Sequence, residues 1–243
     1  MKPTLALLAA LISMPALAAS PGEWTAPANR LYAFDYTIPP PVAAIPALRA
    51  RLEADRARQL ARVRREAAAD AAEARRGGFP VRKHDYSQTW QVVASLPGWL
   101  SLSAAYDTYS GGAHGMRWSG AMLWDRKASR PRNPLDLFTS RAALSAAIRK
   151  DFCAALDRQR AERRGEPVKP GGTAPFEECI DPVKQTVLLG SRSHRLFDRI
   201  GILVAPYEAG PYAEGSYEVT VPVSAAVLAA VRLQFRASFA AGN

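Results

Sequence analysis

The chain has 243 residues, 48% of them hydrophobic and 9% aromatic, with a formal net charge of +10. That apolar content excludes a disordered polymer and supplies core for one large domain or two small ones. Two cysteines and three scattered histidines exclude a zinc knuckle and a two-histidine helix-face site, so neither metal nor cofactor is expected.

In chain order, the first feature is a leader. Met1-Lys2 opens it, Leu5 to Ile12 forms a short apolar run, and Ala16 and Ala18 flank Leu17. This is the pattern of a secretory signal, with cleavage expected after Ala18. The run is shorter than the roughly 20 residues that cross a bilayer. No cysteine follows it to carry a lipid, so the reading is an exported, periplasmic chain without a transmembrane anchor. An exported chain meets wall polymers and lipid head groups, not nucleic acid.

Leu31 to Tyr36 alternates aromatic and other residues and reads as a strand, ended by Pro39-Pro40-Pro41. From Pro46 to Arg76 nearly every residue is Ala, Arg, Leu, Glu, Asp or Gln, which predicts a long helix stopped at Gly77-Gly78. Its apolar stripe of Leu48, Leu52, Leu60 and Val63 is thin, so most of the helix faces solvent. Strands are expected at 90–96, 99–109 and 116–124, the last two joined by a glycine-rich hairpin from Ser110 to Gly115. Asn133 to Phe138 is a turn into a second helix, Arg141 to Arg164, with Leu144, Ile148, Phe152 and Leu156 on one face. Further strands are expected at 186–189, 195–197, 201–205 and 217–221, then a short helix at 224–232. Strand runs interrupted by two main helices indicate an α+β fold of antiparallel sheets with those helices packed against them. No internal repeat is present.

Cys153 and Cys179 are the whole thiol inventory, and outside the cytoplasm an even pair reads as a disulfide. The enclosed segment, with Gly165, Pro167, Pro170, Gly171, Gly172 and Pro175, reads as loop. The basic excess sits in two segments. Residues 49–83 hold 11 Lys and Arg against 5 Asp and Glu, and residues 126–169 hold 12 against 5, which suits an anionic envelope surface.

No nucleophile elbow, phosphate loop or dinucleotide fingerprint occurs in strand–helix context. The most unusual segment is Gly111-Gly112-Ala113-His114-Gly115, where glycine lets backbone amides approach whatever docks. Tyr106, Asp107, Tyr109, Trp118 and Trp124 make the hairpin aromatic-rich, as sugar- and protein-binding surfaces are. The candidate ligand-binding residues are Tyr109, His114, Arg117, Trp118, Tyr207 and Tyr212. A plain tight turn, with aromatics in the core, is the competing structural explanation.

Asp107-Thr108-Tyr109-Ser110-Gly111-Gly112-Ala113-His114-Gly115 and Asn133-Pro134-Leu135-Asp136-Leu137-Phe138 resemble a domain-of-unknown-function family. That family forms the extracytoplasmic part of RsiV-type, lysozyme-responsive anti-sigma factors. The later run from Phe197 to Gly215, with its Pro206-Tyr207-Glu208 and Pro211-Tyr212-Ala213 turns, resembles its second signature. Phe34-Asp35-Tyr36-Thr37-Ile38-Pro39 and the helix after Pro46 resemble the companion domain of PdaC-type peptidoglycan deacetylases. The division expected is a leader at 1–18, a PdaC-like portion at 19–98 with the long basic helix, and an RsiV-like portion at 99–243.

The resemblance implies an α+β fold, an envelope location and a binding role. The chain lacks the cytoplasmic segment of an anti-sigma factor and the length of a deacetylase catalytic domain, so neither activity is expected. Usual lysozymes are basic, so a partner of charge +10 needs an acidic patch, for which Glu208, Glu214 and Glu218 are candidates. The reading is a non-catalytic periplasmic module for a cell-wall glycan or a lysozyme-like protein. Its alternatives are a wall-polymer hydrolase or transferase with His114 as base oriented by Asp107, and a structural protein holding anionic surfaces.

Overall fold

In the computed structural model, residues 22–27, 29–168 and 175–242 are described. The expected leader at 1–18 lies outside them, as do Pro170, Gly171 and Gly172 of the expected loop. β1 (Glu23–Thr25) and β2 (Tyr32–Thr37) lead through a single-turn α1 (Pro40–Ala43) into α2 (Pro46–Gly77). Pro46 occupies the first turn of α2, where its missing N–H costs nothing, and Gly78 closes the helix in the left-handed region at φ +70°. Leu48, Leu52, Val63, Ala67 and Ala71 form the buried stripe. The two alanines extend the expected stripe because small side chains let the helix lie close to the sheet.

β3 (His84–Ser95), β4 (Trp99–Tyr109), β5 (Met116–Asp125) and β6 (Arg130–Arg132) complete a six-stranded sheet in the order β1-β2-β3-β4-β5-β6. All its pairs are antiparallel except β2 with β3. The 32-residue α2 carries the chain back to the starting end, which is what a parallel pair requires. The division expected at residue 98 falls in the turn between β3 and β4, so one sheet spans both parts.

Asn133 and Asp136 exchange side-chain and backbone bonds in a capping box around the turn at Pro134–Leu137. α3 (Arg141–Arg164) follows, capped by Ser140 and closed at Gly165 with φ +72°. β7 (Thr186–Gly190), β8 (Arg199–Val204) and β9 (Tyr217–Pro222) form a three-stranded antiparallel sheet, followed by α4 (Ala225–Ala230). The strand expected at 195–197 is not one. Phe197 makes only an isolated bridge to Phe239, because this short segment turns to bring Asp198 back onto Gly190.

Two cores result. In one, α2 covers Phe34, Tyr36, Tyr86, Trp90, Leu100 and Leu102 of the large sheet. In the other, Leu144, Ile148, Phe152 and Leu156 of α3 meet the small sheet together with Trp99 and Leu123. The fold is α+β with two main helices. Cys153 and Cys179 are bonded across a Cα separation of 5.5 Å, pinning α3 to the following loop. Among the described residues, no helix is long and apolar enough to cross a membrane.

Candidate functional site

β4 and β5 pair in continuous register from Trp99↔Asp125 to Thr108↔Met116, which pushes the Ser110–Gly115 hairpin out at one end of the sheet. Gly111 and Gly112 hold φ of +106° and +101°, so this turn depends on residues without a Cβ. It brings His114 against the connection between β8 and β9. His114 Nδ1 lies 2.8 Å from the Gly115 carbonyl oxygen, and Nε2 lies 3.1 Å from the Tyr207 hydroxyl. A carbonyl only accepts, so Nδ1 carries the proton, and in the neutral ring Nε2 accepts from Tyr207. The imidazole stacks on Tyr212 with centroids 3.8 Å apart, and the Tyr212 hydroxyl donates to the Gly115 carbonyl at 2.9 Å. The two sequence signatures thus meet in a clasp.

The connection carrying both tyrosines is rigidly supported. Arg160 continues the buried stripe of α3 and is fully enclosed. It donates through Nε to the Ala209 carbonyl at 2.8 Å and through Nη1 to Asp157 and the Glu178 carbonyl, each at 3.1 Å. Arg164 pairs with Glu214 at 2.8 Å, and the Tyr217 hydroxyl donates to the same carboxylate. Burial disfavours the charged form of Glu214, but the bonds from Arg164 and Tyr217 outweigh it and hold its carboxyl below the ordinary range. Glu214 is therefore committed inside the fold, while Glu208, which accepts from Gln185, and Glu218 stay exposed. Tyr207 itself sits at φ +71°, a left-handed conformation costing a side chain about 1–2 kcal/mol.

Beside the clasp lies an open cleft of about 360 Å³ on the sheet face turned away from α2. Side chains alternate across a strand, so Phe34, Tyr36 and Leu102 face α2 while their neighbours face the cleft. Register aligns Thr25, Asp35, Ser87, Asp107 and Arg117 in one row across five strands. Ala33, Asp85 and Tyr109 form the next row. Thr25 donates to Asp35 at 2.7 Å, and Arg117 pairs with Asp107. The Tyr109 hydroxyl donates to the Gly112 carbonyl at 3.2 Å, tying the cleft wall to the hairpin.

Of the six expected residues, Tyr109, Arg117 and Tyr212 line the cleft, and His114 and Tyr207 make the clasp beside it. Trp118 departs from this grouping. It stands on the α2 face, stacked on Tyr106 with centroids 5.0 Å apart, because it follows Arg117 on a strand. Asp107 is engaged by Arg117, while the His114 nitrogens face Gly115 and Tyr207, so the two are not assembled as base and orienting carboxylate. Among the described residues, no group of three His, Cys, Asp or Glu side chains could hold a metal ion.

Asp35, Asp85 and Ser87 were not among the expected site residues. Their signal was alternation against Phe34, Tyr36, Tyr86 and Gln88. The polar start of β3 hid it, since that strand was expected only from Trp90.

Residues 26–117 match the family model described as deacetylase PdaC, a span that includes the cleft carboxylates, His114 and Arg117. A DUF3298 family protein of Pseudomonas aeruginosa PAO1 aligns at 18% identity, covering 87% of this chain and 92% of its own, with a TM-score of 0.50. A DUF3298 family member from Bacteroides fragilis NCTC 9343 aligns at 16% identity over 79% of this chain and 80% of its own, with a TM-score of 0.45. The Pseudomonas structure shows likeness of fold. No curated protein matches.

Proposed function

We propose that the protein is an exported, non-catalytic module of the bacterial envelope whose cleft holds a segment of cell-wall glycan. The observation that carries this reading is the construction of the cleft. Two loops 93 residues apart lock through His114 and Tyr207, and they frame a concavity walled by Tyr109 and Tyr212 above a row of hydroxyl, carboxylate and guanidinium groups. Tyrosine rings with fixed polar neighbours suit a sugar, which presents apolar ring faces and polar edges. The similarity of residues 26–117 to a deacetylase family model supports a wall-directed reading, and the Cys153–Cys179 bond suits an oxidising compartment.

The test is co-sedimentation of the mature chain with purified peptidoglycan. Binding by the wild type, lost in a folded Tyr109→Ala/Tyr212→Ala variant, is the expected result; absence of wild-type binding refutes the proposal. A second reading, a basic lysozyme-like protein partner, is favoured by one observation. Asp35, Asp85 and Asp107 place three carboxylates against the single Arg117 in the cleft of an otherwise basic chain. The likeness of the hairpin to lysozyme-responsive anti-sigma factors points the same way. Titration with lysozyme, showing salt-sensitive binding that Asp35→Asn and Asp85→Asn weaken, distinguishes it.

A further inference from the structure

We propose that Trp118, backed by Tyr106, is a second binding position on the opposite face of the large sheet, where a pyranose ring of an extended glycan stacks. The proposal rests on the glycan reading above, but on different residues. Register places Tyr36, Gln88, Tyr106 and Trp118 in one row across β2 to β5. α2 covers only the inner end of that row, where its Asp55 accepts from Tyr36 at 3.0 Å and from Gln88 at 3.3 Å. The outer end is left open. β6 pairs with β5 only at Leu123 to Asp125, so among the described residues no strand pairs with Trp118 on its outer side.

The two rings are held nearly parallel, 7° apart at 5.0 Å. Tyr106 is located by Gly120, where an added Cβ would come within 3.0 Å of its ring and hydroxyl. Trp118 thus has one neighbour fixed against it while 40% of the residue remains exposed. The inner margin is ionic, with the Arg58 side chain 65% exposed and paired to Asp55.

An exposed indole backed by a second ring offers one flat π-face of about the size of a pyranose, whose C–H face packs on it while its hydroxyls stay in water. Two rings are too small for a stable protein interface, which needs about 800 Å² from each partner. A cleft on one face and a stacking ring on the other suit a polymer that passes the hairpin end of the sheet and touches both.

Chitotetraose is the probe, measured by isothermal titration with wild type, Trp118→Ala, Trp118→Phe and the Tyr109→Ala/Tyr212→Ala cleft variant, each checked for folding by circular dichroism. We expect Trp118→Ala to weaken binding at least fivefold and Trp118→Phe to restore part of it, since a smaller flat ring remains. Wild-type affinity in Trp118→Ala, with loss in the cleft variant, overturns the platform and leaves the cleft standing. Loss in Trp118→Ala with an unaffected cleft variant supports the platform and removes the cleft. No binding of chitotetraose by the wild type sinks the platform.

Discussion

His114 Nε2 lies 3.1 Å from the Tyr207 hydroxyl, joining a β4–β5 hairpin to a connection 93 residues further along the chain. Tyr207 adopts a left-handed backbone conformation at this point, so the clasp is held by its surroundings and not by local preference. Tyr207→Phe removes the hydroxyl and leaves Nε2 of an exposed histidine to water. The expected loss is about 0.5–1 kcal/mol, since an exposed hydrogen bond is worth little net. A larger effect is expected on peptidoglycan binding than on the melting temperature, and comparable losses in both would mean the clasp is only structural.

Breaking the Cys153–Cys179 bond releases a loop of 26 residues. The chain-entropy treatment puts the loss at roughly 3–4 kcal/mol, or on the order of 10 °C in melting temperature. Thermal melts of the Cys153→Ser/Cys179→Ser variant, and of wild type with and without reductant, measure it. A shift of a degree or less would show that the loop is held by its other contacts.

Arg160 is fully buried, with the Ala209 and Glu178 carbonyls and Asp157 as acceptors. Arg160→Ala leaves these acceptors unpaired and opens a void beneath the connection bearing Tyr207 and Tyr212. A loss of about 3–5 kcal/mol is expected, as for breaking a buried charge pair. Chemical denaturation reads it, and near-neutrality would show that water replaces the guanidinium.

Acid is expected to destabilise the fold through Glu214 and Asp125. At Asp125, as at Glu214, burial opposes the charge but is outweighed, here by the Ala128 amide and the Arg132 guanidinium. Both carboxyls are held below their ordinary range in the folded chain. Their stabilisation is therefore present above the unfolded-state carboxylate pKa and lost as pH falls through the lower folded values. Melting temperature should fall as pH drops below about 4. Glu214→Gln should flatten that decline, and an unchanged acid limb would place the linkage elsewhere.

The large helices were legible in the residues themselves. Pro46 and Gly77-Gly78 marked α2, and the recurrence of Leu144, Ile148, Phe152 and Leu156 marked α3, because helix propensity and apolar periodicity are written in consecutive turns of one segment. The cysteine pair was equally plain, being the whole thiol content of the chain. The six expected site residues came from local motifs, and five of them do gather at the hairpin and its clasp.

Tertiary structure alone decided which faces those residues share. Arg117 and Trp118 are adjacent in sequence and stand on opposite sides of the sheet, because strand neighbours alternate. Asp35, Ser87, Asp107 and Arg117 form one row only through the pairing of four strands, one pair of them parallel across α2. Such register depends on which distant segments come to lie side by side, and that follows from burying Phe34, Tyr86 and Leu102 together under a helix, a condition no local stretch of chain contains.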